Sequence, residues 1–432
     1  MIKNEFSFAV SNADVKHFFS ILIFLIPASI AIGISVAFFL WLLDVATQLR
    51  FQFPQLIFLL PIAGIVIYLL YKRAGKNAGA GNNLIIDEIH EPVNAVPGRM
   101  APLILFSTVL THLVGGSAGR EGTAVQMGGS ISSVIIKKFK LHGIQKKWLL
   151  MAGMSAGFAA VFGTPIAASI FALEVLAIGK TKFQAWIPCL VAAFVAHFTC
   201  LACGISHTVY TVKLVTASHL LSYFHFDTSY LILAVISGVL FGLVARLFSF
   251  SVHQLKEVSQ QWIKNPLLIP VVASVLILAI SYALGTFDYL GLGVTASSPS
   301  GTSIVSVFTS THIDYSAWFW KLLLTVITLS MGFKGGEVTP LFFIGATLGN
   351  SIAVISGVPI DLFAAVGFVA VFAGAANTPL ACTIMGMELF GGEYALYLGA
   401  ACYMAYYFSG HSGIYKSQRV VSRKDALLSK LK

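Results

Sequence analysis

Long apolar runs separated by short polar breaks make up most of the chain. Phe18 to Leu43, Pro54 to Tyr71, Leu231 to Phe250 and Leu267 to Leu284 are continuous rather than alternating, a pattern that predicts helices instead of strands. Each is long enough to cross a hydrocarbon core of about 30 Å. Other apolar segments, such as Ser130 to Ile136, are too short to cross alone. Irregular backbone at membrane depth survives only where protein buries it or a cavity borders it, so the breaks mark the site.

The pattern also occurs twice. Gly119-Arg120-Glu121-Gly122-Thr123 returns 216 residues later as Gly335-Gly336-Glu337-Val338-Thr339, and the apolar segment Thr164 to Glu174 returns 214 residues later as Thr378 to Glu388. Repeated halves with Gly- and Pro-interrupted segments in matching places predict a transporter whose site lies where broken helices meet. The chain divides into a polar lead (1–16), a first membrane repeat (17–226), a second (227–415) and a basic tail (416–432) too short for a further folded domain.

Composition agrees with a membrane protein. Of 432 residues 57% are hydrophobic and 10% charged, with a mean hydropathy of +0.86, values that a water-soluble domain could not reconcile with its surface. The net charge of +10 is concentrated in the breaks: Lys137, Lys138, Lys140, Lys146 and Lys147 fill one connection, and the tail carries six more cations from Lys416 to Lys432. Thr286 to Ser316 has neither Lys nor Arg. The positive-inside tendency puts the lysine connection and the C-terminus in the cytoplasm and the Ser/Thr-rich stretch outside. Nucleic acid is a poor partner for cations that flank membrane runs without interleaved aromatic residues. The five cysteines lie in apolar sequence, and the Cys200/Cys203 pair completes no metal set, so neither metal nor cofactor is expected. No cleavage site precedes the first run, and no removable signal is expected. An integral-membrane enzyme would need clustered His, Asp or Ser residues, whereas His90, His112 and His142 are scattered.

The breaks carry anion chemistry. In Thr164-Pro165, Thr339-Pro340 and Thr378-Pro379 the threonine is predicted as an N-cap and the proline as the first helical residue. A helix start in mid-membrane offers unpaired N–H groups and the positive pole of the dipole, so several converging starts bind an anion without a full positive charge. Glu121, between Gly119 and Gly122, either occupies such a site and leaves it on protonation, or pairs with Arg120 and caps a helix. Glu337 is its counterpart, and the pattern alone does not say which of the two is the gate. Glu174 and Glu388 are assigned to the cytoplasmic helix end or to repeat packing, with a proton relay through Glu174 as the lesser alternative. Asn82 and Asn83, after Gly81, are amide donors or an ordinary turn. Tyr415 faces a pore or sits at the membrane interface.

Taken together, these residues resemble the CLC family of chloride channels and anion/proton exchangers. Gly119 to Gly122 with Thr123 resembles that family's G-R-E-G-P motif, Gly335 to Pro340 its G-G-x-F-x-P, and Tyr415 falls where the family places its pore tyrosine. The resemblance implies an all-α membrane fold of inverted repeats, with tilted, partly spanning helices around a mid-membrane anion site and two copies forming a homodimer. It also implies Glu121 as gate and proton carrier, with Gly81, Asn82 or Asn83, Arg120, Gly122, Thr123, Val338, Thr339 and Tyr415 around the anion. The departures are similar to those of the bacterial fluoride-exporting branch: Asn82 or Asn83 for the anion-binding serine, Thr123 for proline, Val338 for phenylalanine, and Val175 where exchangers of chloride carry an inner glutamate. Fluoride is small and strongly hydrated, and amide and hydroxyl donors suit it. The implied function is fluoride/proton antiport across the bacterial inner membrane; the alternative is a chloride/proton exchanger or chloride channel of the same family.

Overall fold

The computed structural model describes residues 12–92, 95–181, 183–213 and 227–424, without the side chains of 12–18. Most of the predicted lead, the predicted junction at 226 and the end of the tail lie outside these residues. The first helix starts at Asn12, inside the predicted lead, where Asn12 and Asp14 are residue types favoured at helix starts.

Among the described residues there are fifteen α-helices. The first half contains α1 (Asn12–Gln52), α2 (Leu60–Leu70), α3 (Asn82–His90), α4 (Met100–Leu113), α5 (Glu121–Lys138), α6 (Gly143–Phe162), α7 (Pro165–Glu174) and α8 (Trp186–Ala202). The second contains α9 (Thr228–Trp262), α10 (Leu268–Leu284), α11 (Ala317–Ser330), α12 (Val338–Ser356), α13 (Ile360–Ala376), α14 (Pro379–Phe390) and α15 (Ala395–Phe408). The apolar stretches Phe19–Gln52, Pro54–Ala80, Phe183–Ala202, Thr228–Trp262 and Val338–Ser356 are long and apolar enough to cross a membrane. Ser130 to Ile136 is not a separate short segment: it is part of α5, whose small and polar residues before it are buried against protein and hide the helix from a hydropathy reading.

The packing repeats with the sequence. Helices α5 and α6 pack together as α12 and α13 do, and α8 packs on α1 as α15 packs on α9. The cores of the halves are α6, buried from Trp148 to Phe162, and α13, buried from Leu362 to Ala376. Close approach needs glycine at matching places. A Cβ on Gly153 would strike the Gly128 carbonyl, and one on Gly367 the Gly345 carbonyl. Small residues of this kind let helix backbones touch where hydrophobic burial against lipid provides little drive.

Two features close the molecule. The polar stretch 286–316 is folded onto the body, with Tyr289, Ile304, Val307 and Phe308 buried. Elsewhere, strand β1 (Ala177–Ile178) pairs in parallel with β2 (Arg419–Val420), laying the tail beside the end of α7.

Candidate functional site

The two glycine-rich breaks meet. The Gly119 N–H donates to the Gly336 carbonyl at 2.6 Å and the Gly336 N–H donates back to the Gly119 carbonyl at 2.8 Å, an antiparallel bridge between the repeats. Side chains are excluded from the crossing. A Cβ on Gly119 would stand 2.9 Å from Thr339 Oγ1, and one on Gly336 would stand 2.8 Å from the Gly122 nitrogen. The bridge sets the start of α5 against the start of α12.

Glu121, the first residue of α5, is fully buried there. Its Oε2 accepts from the Thr339 hydroxyl at 2.5 Å, from the Thr339 N–H at 3.1 Å and, more weakly, from the Arg120 N–H at 3.3 Å. Its Oε1 lies 3.6 Å from Arg120 Nε, and neither of these two atoms makes a hydrogen bond. The carboxylate therefore has a charge neighbour in Arg120, but its hydrogen bonds come chiefly from the start of α12. Helix starts attract anions through unpaired N–H groups and the dipole, and here the anion is a side chain.

Thr339 is not the N-cap that the sequence predicts. Helix α12 starts earlier, at Val338, with Glu337 in the cap position. Pro340 is still tolerated, because the first turn of a helix makes no use of its N–H groups within the helix. Glu121, from the other repeat, accepts from the Thr339 N–H in the first turn of α12, where no side chain of the helix's own N-cap does.

The remaining predicted residues fall around this point in different ways. Gly81, with φ of +60°, turns the chain into α3, which packs against α5. Asn82 is buried, and its Oδ1 has no partner. A Cβ on Gly122 would stand 3.3 Å from Asn82 Nδ2 and 3.4 Å from Glu337 Oε2, so this glycine lets both polar groups close on the start of α5. Asn83 turns elsewhere: its Oδ1 accepts from the Ser417 N–H at 3.0 Å and holds the tail. The Thr123 hydroxyl is shared with Thr108 at 2.8 Å. Val338 is buried in the first turn of α12. Tyr415 is buried edge-on to Phe171, within electrostatic range of Glu337 and Glu121.

Tyr415 is seated by the tail. The Ile414 N–H donates to the Ala375 carbonyl at 2.8 Å, and Gln418 Nε2 donates to the Ala376 carbonyl at 2.8 Å. Further on, Lys424 Nζ is buried and donates to Asn377 Oδ1 at 2.5 Å, the Tyr406 carbonyl at 2.6 Å and Ser409 Oγ at 3.1 Å. A cation among the last carbonyls of α15 is also favoured by the helix dipole.

The other two predicted helix starts are already filled. Glu174, at the end of α7, accepts from the N–H groups of Leu380 at 3.1 Å and Ala381 at 2.8 Å, at the start of α14. Glu388, near the end of α14, accepts from the N–H groups of Ile166 at 3.0 Å and Ala167 at 2.7 Å, at the start of α7. Each helix caps the other. Thr164 and Thr378 occupy the N-cap positions with proline following, as predicted, but make no side-chain cap bond. A buried carboxylate binding two N–H groups outcompetes a hydroxyl that binds one. The starts of α7 and α14 are thus corrected from free anion sites to sites held by protein carboxylates.

Sequence reasoning missed two supports of the crossing. Lys321, fully buried in α11, donates to the carbonyls of Tyr289 at 3.1 Å and Gly291 at 2.8 Å, pinning the polar stretch 286–316. His112 lies between the Thr108 carbonyl (2.8 Å) and the Ala118 carbonyl (2.9 Å), behind Gly119. The signal for Lys321 was present: one lysine in an otherwise apolar run. Among the described residues no three metal-ligating side chains come together.

Known proteins resemble this chain in sequence and fold. A family model described as voltage gated chloride channel matches residues 63–410. A curated protein of Pseudomonas syringae pv. tomato, described as a chloride/fluoride channel protein, is 46% identical over 391 residues, covering 90% of this chain and 84% of that protein. The crystal structure of a CLC-type fluoride/proton antiporter superposes with a TM-score of 0.85 at 34% identity, covering 93% of this chain and 98% of that one. A slow cyanobacterial Cl-/H+ antiporter superposes with a TM-score of 0.77 at 20% identity over 95% and 97% of the two chains, a likeness of fold.

Proposed function

This chain belongs to the CLC family, and from that premise we propose that it is a fluoride/proton antiporter that uses inward proton movement to expel fluoride across the bacterial inner membrane. The observation that carries the proposal is the Glu121 carboxylate bound by the N–H and hydroxyl of Thr339. A carboxylate and a halide compete for the same donors. Protonation removes the charge of Glu121 and weakens its hold on the helix start, so the side chain leaves and an anion takes the donors. When the anion departs, Glu121 loses its proton on the other side and returns. Only one Glu121 oxygen is anchored by hydrogen bonds, and this favours a side chain that moves.

Selectivity follows from the donors. Fluoride exchanges a tightly held hydration shell only for short, strong hydrogen bonds. The Thr339 hydroxyl and N–H, with the Asn82 amide beside Gly122 and the buried Tyr415 hydroxyl, form such a set, and Val338 adds a small apolar wall. Arg120, on the other flank of Glu121, adds positive potential. In this reading Asn82 contacts the anion and Asn83 holds the tail. Gly143, Ile144 and Lys147, at the end of the basic connection before α6, line one cavity with Arg419 and Val421 of the tail, and this shared face supports a cytoplasmic tail. Exposed Ile166, Ile187, Met387 and Leu396, on α7, α8, α14 and α15, offer an apolar face for a second copy.

The test is flux from liposomes loaded with fluoride or chloride, with proton uptake followed in parallel. Fluoride efflux far above chloride efflux, with protons entering, is expected. Equal handling of the two halides overturns the fluoride assignment, and fluoride efflux without proton uptake overturns antiport.

A further inference from the structure

A cavity of 670 Å³ lies away from the anion site, where the ends of α3 and α7, the start of α6 and the paired strands β1 and β2 meet. Its floor is apolar, formed by Ile89, Trp148, Met151, Leu173 and Leu176. Its rim is basic: Lys147, Lys180 and Arg419 line it together with His90, and no aspartate or glutamate does. Arg419 pairs with exposed Glu91 beside the rim, whereas Lys147 and Lys180 form no ion pair among the described residues. One ring nitrogen of His90, Nε2, is already engaged with the Leu176 carbonyl at 2.8 Å.

Two features narrow the occupant. Five apolar side chains give a free phosphate or small acid nothing to bind, and the cavity is much larger than such an ion. Three cations give a neutral lipid no reason to prefer this place over the general annulus. An amphiphile with a negatively charged phosphate and an acyl chain uses both, and anionic lipid headgroups are drawn to basic clusters at the margins of membrane proteins. We propose that this cavity binds one anionic phospholipid, with its phosphate against Lys147, Lys180 and Arg419 and its chain on the floor around Trp148. The lipid bridges α6, the segment after α7 and the tail. Because Arg419 lies on the strand that follows Tyr415, an occupied cavity fastens the strap that seats that residue.

Binding is measured apart from transport, on the full-length protein in neutral detergent, with phosphatidylglycerol brominated along its acyl chains. Saturable quenching of the Trp148 emission is expected, identified as the part lost in Trp148→Phe. In the double variant Lys147→Gln/Lys180→Gln the affinity falls on the order of fivefold for each lysine removed. Brominated phosphatidylcholine at the same concentration leaves Trp148 unquenched, and glycerol phosphate fails to displace the anionic lipid. Equal quenching by the two lipids, or unchanged affinity in the lysine variant, overturns the proposal. Displacement by glycerol phosphate at matching concentration also overturns it, in favour of a soluble anion. If Trp148→Phe does not fold, native mass spectrometry reads the same contrast: phosphatidylglycerol retained on the unmodified protein and lost from the lysine variant supports the site, and equal retention removes it.

Discussion

Two pairs of glutamates occupy equivalent places in the two repeats and behave in opposite ways. Glu174 and Glu388 share one geometry: each lies at or near the end of a short helix, and each uses both oxygens to bind two N–H groups at the start of the other. Glu121 and Glu337 do not. Glu121 is fully buried and hydrogen-bonded across the repeat boundary through one oxygen, while Glu337 is half-buried in the cap position of α12. Under the proposed function, the contrast separates a fastener from the gate. A carboxylate whose two oxygens are both satisfied by backbone has no reason to leave, and one with an oxygen free of hydrogen bonds has fewer bonds to break.

The strongest way to break this comparison is Glu121→Gln. The amide cannot carry a proton in exchange, so proton-coupled fluoride efflux is lost altogether, while thermal unfolding stays close to that of the unmodified protein. Coupling retained in liposome flux would show that the gate lies elsewhere. Next in size is the removal of a fastener. Glu174→Ala leaves two N–H groups at the largely buried start of α14 without acceptors and lowers stability by about 3 kcal/mol, whereas Glu388→Ala frees N–H groups beside exposed Ile166 that water can reach and costs about 1 kcal/mol. The larger loss in thermal unfolding is expected for Glu174→Ala, and an equal or larger loss for Glu388→Ala would show that solvent does not relieve the freed N–H groups of α7.

Smaller effects sharpen the comparison. Thr339→Val keeps the N–H and removes the hydroxyl, weakening fluoride binding about 20-fold, the value for a hydrogen bond to a charged group; isothermal titration at the anion site is the measurement. Smallest is the asparagine pair. Asn82→Ala lowers the fluoride-to-chloride flux ratio about tenfold, while Asn83→Ala leaves the ratio alone and lowers stability by about 1 kcal/mol through the freed Ser417 N–H. Equal changes in selectivity would undo the distinction between the two residues.

Much of this was legible in the chain. The 214- and 216-residue offsets, the glycines around Glu121 and the proline after each threonine gave the repeats, the breaks and the residue to suspect, because spacing and local chemistry are properties of sequence. The assignment of Glu174 and Glu388 to helix ends or repeat packing also agrees with the structure, although the reciprocity of their caps could not be read. Each carboxylate and the N–H groups it binds are separated here by more than two hundred residues, and nothing local encodes that meeting. Ser130 to Ile136 was misread for a related reason: helix α5 is rich in Gly and Ser because it packs against protein, and hydropathy records the lipid-facing helices best.

What the sequence alone determined, then, is the apolar character, the duplication and the chemistry available at each break. The tertiary structure decided where each polar group points: Asn82 toward the start of α5 and Asn83 toward the tail, Thr339 toward Glu121 instead of its own helix, and the carboxylates of α7 and α14 onto each other's first turns. Hydrogen bonds are directional and short, so their partners are chosen by how helices cross, and the crossing is set by the close approach of glycines from opposite halves of the chain.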